Sequence, residues 1–189
     1  IGMGLEWFTA NQEPDGHWEM SKHSSNNKYN TAGAGLALLC YYGWGIKHAD
    51  NTRHARAQSK ALAWMLKQQK TDGALRGAQG GRMYCHGIAA IALCEAYGLT
   101  KDPKLKEPAT RAIDFILKAQ HAEGGWRYAP GQAGDLSVAG WQYMAMHSAR
   151  MADLKVPDEA FVNARKFIDS VSGGKIGGRY GYTGKGNSP

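Results

Sequence analysis

Side chains able to do chemistry are few in this chain, and most stand alone. Asp135 sits in Asp135-Leu-Ser137 with no second carboxylate beside it. Cys85 and His86 are adjacent, so on a helix they point about 100° apart. Tyr29, Tyr84, Tyr128 and Trp141 offer aromatic surface of the kind that suits an apolar or cationic ligand. No phosphate-cradling glycine loop, Ser-His-Asp order or HExxH pair occurs. Cys40, Cys85 and Cys94 are odd in number, lie in apolar stretches and include no CxxC, which argues against a disulfide scaffold. What these residues do depends on the elements that position them.

Those elements repeat. Three times the chain writes Gln, three residues, Gly, one residue and a large apolar side chain: Gln12, Gly16, Trp18; Gln69, Gly73, Leu75; and Gln120, Gly124, Trp126. A fourth copy, Gly174-Lys-Ile-Gly-Gly178-Arg-Tyr180, has Gly in place of Gln. The closing residues Trp18, Leu75, Trp126 and Tyr180 lie 57, 51 and 54 residues apart. A period that long, held over four copies, marks stacked supersecondary units. The repeats run about 1–50, 51–104, 105–156 and 157–189, the last incomplete. In each motif the large side chain is expected to pack across the turn. The Gln is expected to bond backbone groups at neighbouring helix ends, so the motif residues read as inter-repeat staples.

Each repeat offers two helices. An amphipathic one precedes the motif: Ala109, Ala112, Ile113, Ile116 and Leu117 follow i, i+3, i+4, i+7, i+8, with Arg111, Asp114 and Lys118 opposite. Pro108 is placed near the first turn of this helix. The second helix is apolar nearly all round, with small residues early, as in Ala32-Gly-Ala-Gly35 and Gly87-Ile-Ala-Ala90. Such a helix is buried on most sides, and glycine there implies close backbone approach. The pattern predicts inner helices near 31–44, 86–98 and 137–152, starting at Thr31, His86 and Ser137. Outer helices are predicted near 4–11, 56–69, 108–120 and 158–171. The motif-to-helix spacing of 11 residues, added to Tyr180, reaches 191, beyond Pro189. The chain therefore reads as a segment of a longer repeat protein, with terminal helices whose apolar faces favour self-association.

Composition narrows the partners. The 189 residues are 43% hydrophobic, enough for a sizeable core. No apolar run approaches the roughly 20 residues of a membrane-spanning helix. The net charge of +7 is spread over positions such as Arg56, Lys60, Lys67, Arg111 and Lys118, which fit solvated helix faces. No nucleic-acid partner is expected, while an anionic lipid or phosphorylated ligand stays compatible with the charge. The chain starts at Ile1, and its compartment is left open.

The Gln-x3-Gly-x-Trp copies, the helix-pair period and the buried small-residue helices resemble the squalene cyclase and protein prenyltransferase repeat superfamily. Gly124-Gly-Trp-Arg-Tyr128 and Asp135-Leu-Ser-Val-Ala-Gly-Trp-Gln142 look like bacterial proteins carrying these repeats. The resemblance implies an all-α fold, a partial α/α toroid: an open arc of helical hairpins in inner and outer layers around a cavity. Squalene-type cyclases carry a D-x-D-D acid at the start of an inner helix. The matching positions here read Tyr29-Asn-Thr31, Tyr84-Cys-His86 and Asp135-Leu-Ser137, so Asp135 is the one candidate catalytic acid. At a helix start its charged form is the stabilised one. Prenyltransferases hold Zn²⁺ on Asp, Cys and His at inner-helix starts, which makes Cys85, His86 and Asp135 the residues to examine as metal ligands. The D-x-C order is absent, and no metal or cofactor is expected. Tyr29, Tyr84 and Asp135 share the aligned position on a cavity mouth, with His86, Tyr128 and Trp141 as further rim residues. Two function classes follow. One is a non-catalytic domain whose concave face binds an apolar, isoprenoid or glycan ligand or a protein. The other is part of an isoprenoid cyclase or prenyltransferase-like enzyme whose acid or metal ligands lie in other repeats, with a polysaccharide-lyase-like toroid as a further alternative.

Overall fold

The computed structural model describes residues 1–22, 29–77, 82–174 and 176–186. Among these residues, seven α-helices alternate between two layers. The outer layer holds α1 (Gly2–Ala10), α3 (Arg53–Gln68), α5 (Pro103–Ala119) and α7 (Asp158–Val171). The inner layer holds α2 (Asn30–Gly43), α4 (Met83–Thr100) and α6 (Leu136–Met151). A 3-10 turn spans Met20–Lys22, and after α7 two-residue strands β1 (Ser172–Gly173) and β2 (Arg179–Tyr180) pair antiparallel. The fold is all-α, an open arc of helical hairpins. No helix among the described residues is long and apolar enough to cross a membrane.

Burial separates the layers. Helix α4 buries thirteen of its eighteen residues because α2 and α6 flank it and α5 covers its outer side. Helix α7 buries only Ala160, Phe161, Ala164, Phe167 and Val171, one stripe at helical spacing. Small residues let the inner helices close up: a Cβ on Gly35 would stand 3.1 Å from the Ile88 carbonyl oxygen, and one on Gly87 2.9 Å from the Trp141 Cβ. The inner helices advance in parallel with a fixed offset. Tyr84 meets Ser137 and Glu95 meets Ser148, each pair 53 residues apart.

The motif residues join one repeat to the next. Gln12 Nε2 donates to Gly16 O within its own loop and to Ala57 O on α3, both at 2.8 Å. Gln69 does the same with Gly73 O and Pro108 O on α5, and Gln120 with Gly124 O and Ala160 O on α7. Three residues beyond each accepting carbonyl, the loop glycine lies against the same helix. A Cβ on Gly16, Gly73 or Gly124 would sit 2.3, 2.2 or 1.9 Å from the carbonyl oxygen of Lys60, Arg111 or Asn163. All three glycines have positive φ, so both the backbone angle and the contact require glycine. Trp18 and Trp126 turn back onto their own outer helices, each donating its indole N–H at 2.8 Å, to Phe8 O and Ile116 O.

Four sequence expectations are corrected. Thr31, His86 and Ser137 do not begin the inner helices, whose N-caps are Tyr29, Arg82 and Asp135. Helices α4 and α6 start early because loop carbonyls of the following repeat meet their first N–H groups: Met83 N donates to Tyr128 O and Leu136 N to Tyr182 O. In consequence Tyr84 aligns with Thr31 and Ser137, and it is Arg82 that aligns with Tyr29 and Asp135. Pro108 is interior to α5, which starts at Pro103 behind the Asp102 cap. In the fourth motif copy Ser172, at the C-cap of α7, takes the Gln place: its Oγ donates to Gly177 O at 2.9 Å. Lys175 of that copy lies outside the described residues. Tyr180 is 49% exposed, unlike Trp18, Leu75 and Trp126, because no described helix follows α7 to cover it.

Candidate functional site

The inner face of the arc carries an open groove of about 410 Å³ between the N-terminal halves of α2 and α4. Tyr29, Ala32, Gly33 and Leu36 form one wall, and Tyr84, Cys85 and Ile88 the other, with Arg82 at the mouth. Leu36 is 44% exposed, a large apolar side chain turned to this space. Trp141 of α6 packs against the same cluster of Ala32, Cys85 and Ile88. The helix register explains the composition: Tyr84 and Ile88 are one turn apart and share a face, as do Tyr29, Ala32, Gly33 and Leu36.

A polar network lies over the start of α4 and α6. Ser137 Oγ donates to Asp135 Oδ1 at 2.8 Å, and Val138 N donates to the same oxygen at 2.8 Å. Ser137 has given its only proton to the carboxylate, so the Tyr84 hydroxyl donates to Ser137 Oγ. Tyr84 therefore presents an acceptor oxygen beside the groove. Arg82 lies 4.3 Å over the Tyr128 ring and Arg127 5.5 Å from it, which holds both guanidinium groups by cation–π attraction. Tyr128 and Tyr182 share a hydroxyl contact of 2.5 Å. The bond to Tyr128, then burial and the Asp135 charge, push the Tyr182 hydroxyl up to about 12. The N–H groups of Met83, Leu136 and Val138 are already bonded, so these three donors at the starts of α4 and α6 are not open to an anion.

The candidates separate on this geometry. Tyr29 and Tyr84 line the groove, and Tyr128 stands 6.0 Å from Tyr84 between ring centroids. Asp135 is fully buried and caps α6 through Oδ1, while its Oδ2 lies 3.8 Å from Arg127 Nε and makes no hydrogen bond. His86 is not on the rim. It is fully buried, accepting from Leu75 N at Nδ1 and donating to Ala112 O at Nε2, both at 2.9 Å. Burial lowers its pKa to about 4, the outcome for an imidazole kept neutral between two backbone groups. Burial raises the Cys85 thiol, which opposes a thiolate ligand. Among the described residues no three His, Cys, Asp or Glu side chains lie together in a way that could hold a metal ion. Sequence reasoning missed Arg82, hidden by the two-residue slip in register. It also missed Tyr182, although its 54-residue spacing from Tyr128 was visible in the repeat.

Comparison with known proteins agrees with the architecture. Residues 88–176 match the family described as the squalene-hopene cyclase N-terminal domain. A drimenyl diphosphate synthase of Streptomyces showdoensis is 29% identical over 141 residues, covering 71% of this chain and 24% of that protein. The enfumafungin synthase efuA of Hormonema carpetanum is 31% identical over 159 residues, covering 72% of this chain and 12% of that protein. The chain thus spans less than a quarter of either relative. No solved structure matches it at comparable significance.

Proposed function

We propose, for a chain that belongs to the squalene cyclase-like superfamily, that it forms part of the wall of an isoprenoid-binding cavity and does not itself supply the catalytic acid. The observation that carries this reading is the groove between α2 and α4, an apolar surface left open on the inner face where a globular core would close it. Two relatives are named as synthases, of drimenyl diphosphate and of enfumafungin, which supports a terpenoid ligand. A polyene chain laid along α4 meets Tyr84 and Ile88 on one side and Tyr29 and Leu36 on the other. The aromatic rings offer it π-faces and exclude water. Asp135 serves the fold instead: its Oδ1 takes the α6 cap bond and orients Ser137 and, through it, Tyr84. In an enzyme built on this segment the acid comes from another part of the protein.

Equilibrium binding of a labelled polyene hydrocarbon, squalene or farnesene, tests the reading. Saturable binding is expected, weakened by Leu36→Asp, a change the exposed position tolerates, and abolished by Ala32→Trp, which fills the groove. Absence of saturable binding by a folded chain, or indifference to both substitutions, would reject it.

A further inference from the structure

We infer that the inner helices hold a hydroxyl group of the bound ligand between Tyr42 and Glu95, so that the groove selects a terpenoid alcohol over the matching hydrocarbon. The inference rests on the groove reading above and goes beyond it in naming the ligand's functional group and its anchor.

The helix register places the site. Gly35 of α2 lies against Ile88 of α4, and the helices run in parallel. Seven residues further along each, about 10 Å, the side chains at the same level are Tyr42 and Glu95. From α6, Ser148 reaches the same layer and donates to Glu95 Oε1 at 2.7 Å. All three inner helices thus send a polar group to one point. Glu95 lies two turns beyond Ile88 on the same face of α4 and is partly exposed. From Tyr84 to Glu95 is eleven residues, about 16 Å along α4, comparable to an extended farnesyl chain.

The donor and acceptor count selects the ligand. The Tyr42 hydroxyl is buried and has no hydrogen-bond partner. Its pKa is raised by burial and then by the charge of Glu95, which sets the carboxylate near it. Ser148 has given its proton to Glu95, and a carboxylate only accepts. The layer therefore offers one unused donor, Tyr42, and unused acceptor capacity on Glu95. A hydroxyl satisfies both at once, accepting from Tyr42 and donating to Glu95. An ether accepts from Tyr42 but sets its lone pairs against the carboxylate. An ammonium group pairs with Glu95 and leaves the Tyr42 proton unmatched. A hydrocarbon leaves both unmatched, and unmade buried bonds are the costly ones.

The test is competition binding of farnesol, farnesyl methyl ether, farnesylamine and farnesene to the purified chain. Farnesol is expected to bind about tenfold more tightly than farnesene or the ether, and Tyr42→Phe to erase that preference while leaving farnesene affinity unchanged. Glu95→Gln is expected to reduce it. Equal binding of farnesol and farnesene by the wild type would overturn the inference and leave water as the occupant. A preference that survives Tyr42→Phe but is lost in Tyr84→Phe would overturn it by placing the hydroxyl at the other end of the groove. Farnesylamine binding more tightly than farnesol, with no response to Tyr42→Phe, would make Glu95 a cation site and also overturn it. If none of the four binds, the groove reading falls and the inference with it; if farnesene alone matches farnesol, the groove reading stands and only the inference fails.

Discussion

Substituting Gly124 by Ala tests whether the repeats are held together by close backbone approach at the loop glycines. Two contributions are expected. Gly124 has φ of +90°, and a Cβ in the left-handed region costs roughly 1–2 kcal/mol. The added methyl would also stand 1.9 Å from the Asn163 carbonyl oxygen, so loop and α7 must part by more than an ångström. The Gln120 Nε2 bond to Ala160 O, at 3.0 Å, does not survive that movement, and its loss adds about 1 kcal/mol. The total is about 2–3 kcal/mol. Gly131 supplies the control: its φ is +70°, but nothing lies within 4 Å of the place an added methyl would take, so Gly131→Ala carries only the backbone contribution. Urea unfolding followed by far-ultraviolet circular dichroism and tryptophan fluorescence measures both. In a Gln120→Ala background the Gly124→Ala penalty should shrink by the value of the lost bond. Equal destabilisation by Gly124→Ala and Gly131→Ala would refute the close-approach argument.

Further outcomes follow from single groups. His86 has a folded pKa near 4 against 6.5 for the free side chain, so the unfolded state binds more protons between those values. Its contribution is full above pH 6.5, falls as pH drops toward 4 and is then exhausted; the loss is roughly 3 kcal/mol, and the urea midpoint should lose much of its pH slope in His86→Asn. Tyr42→Phe should leave the thermal midpoint of the ligand-free chain unchanged or raised, because the hydroxyl it removes makes no bond; a drop of several degrees would show a partner. Asp135→Ala should destabilise by about 1 kcal/mol through the lost α6 cap, read as a lower urea midpoint. Incubation of the chain with squalene or oxidosqualene should yield no cyclised product; product that disappears in Asp135→Asn would make Asp135 the acid after all.

The sequence disclosed what is held by local chemistry and hid what is held by neighbours. The Gln–Gly–large-apolar copies and the alternation of amphipathic and all-apolar stretches name the two layers directly, since each rests on a periodicity or a turn residue within one repeat. The register of the inner helices does not. From the closing motif residue to the first helical residue the chain takes 12, 8 and 10 residues, from Trp18 to Asn30, Leu75 to Met83 and Trp126 to Leu136. A fixed spacing therefore misplaces α4 by two residues, enough on a helix to turn Tyr84 and His86 onto different faces. The helix start is fixed instead by Tyr128 O, a carbonyl one repeat further on.

That same dependence explains which candidate residues changed role. His86 carries the side-chain chemistry of a catalytic residue, yet both its nitrogens are occupied in joining the Leu75 loop to α5. Asp135 likewise gives its Oδ1 to a helix start and to Ser137. Tyr84, Tyr42 and Glu95 look ordinary in an apolar run, but the parallel packing of α2 and α4 sets Tyr84 at one level of the inner layer and Tyr42 with Glu95 at another. In a repeat fold a position's role follows from its level along the inner helix and from whether an outer helix covers it. Residue type decides only afterwards what chemistry is available there. By that argument the sites to test are the uncovered levels, Tyr84 at one end and Glu95 at the other, rather than the covered histidine between the layers.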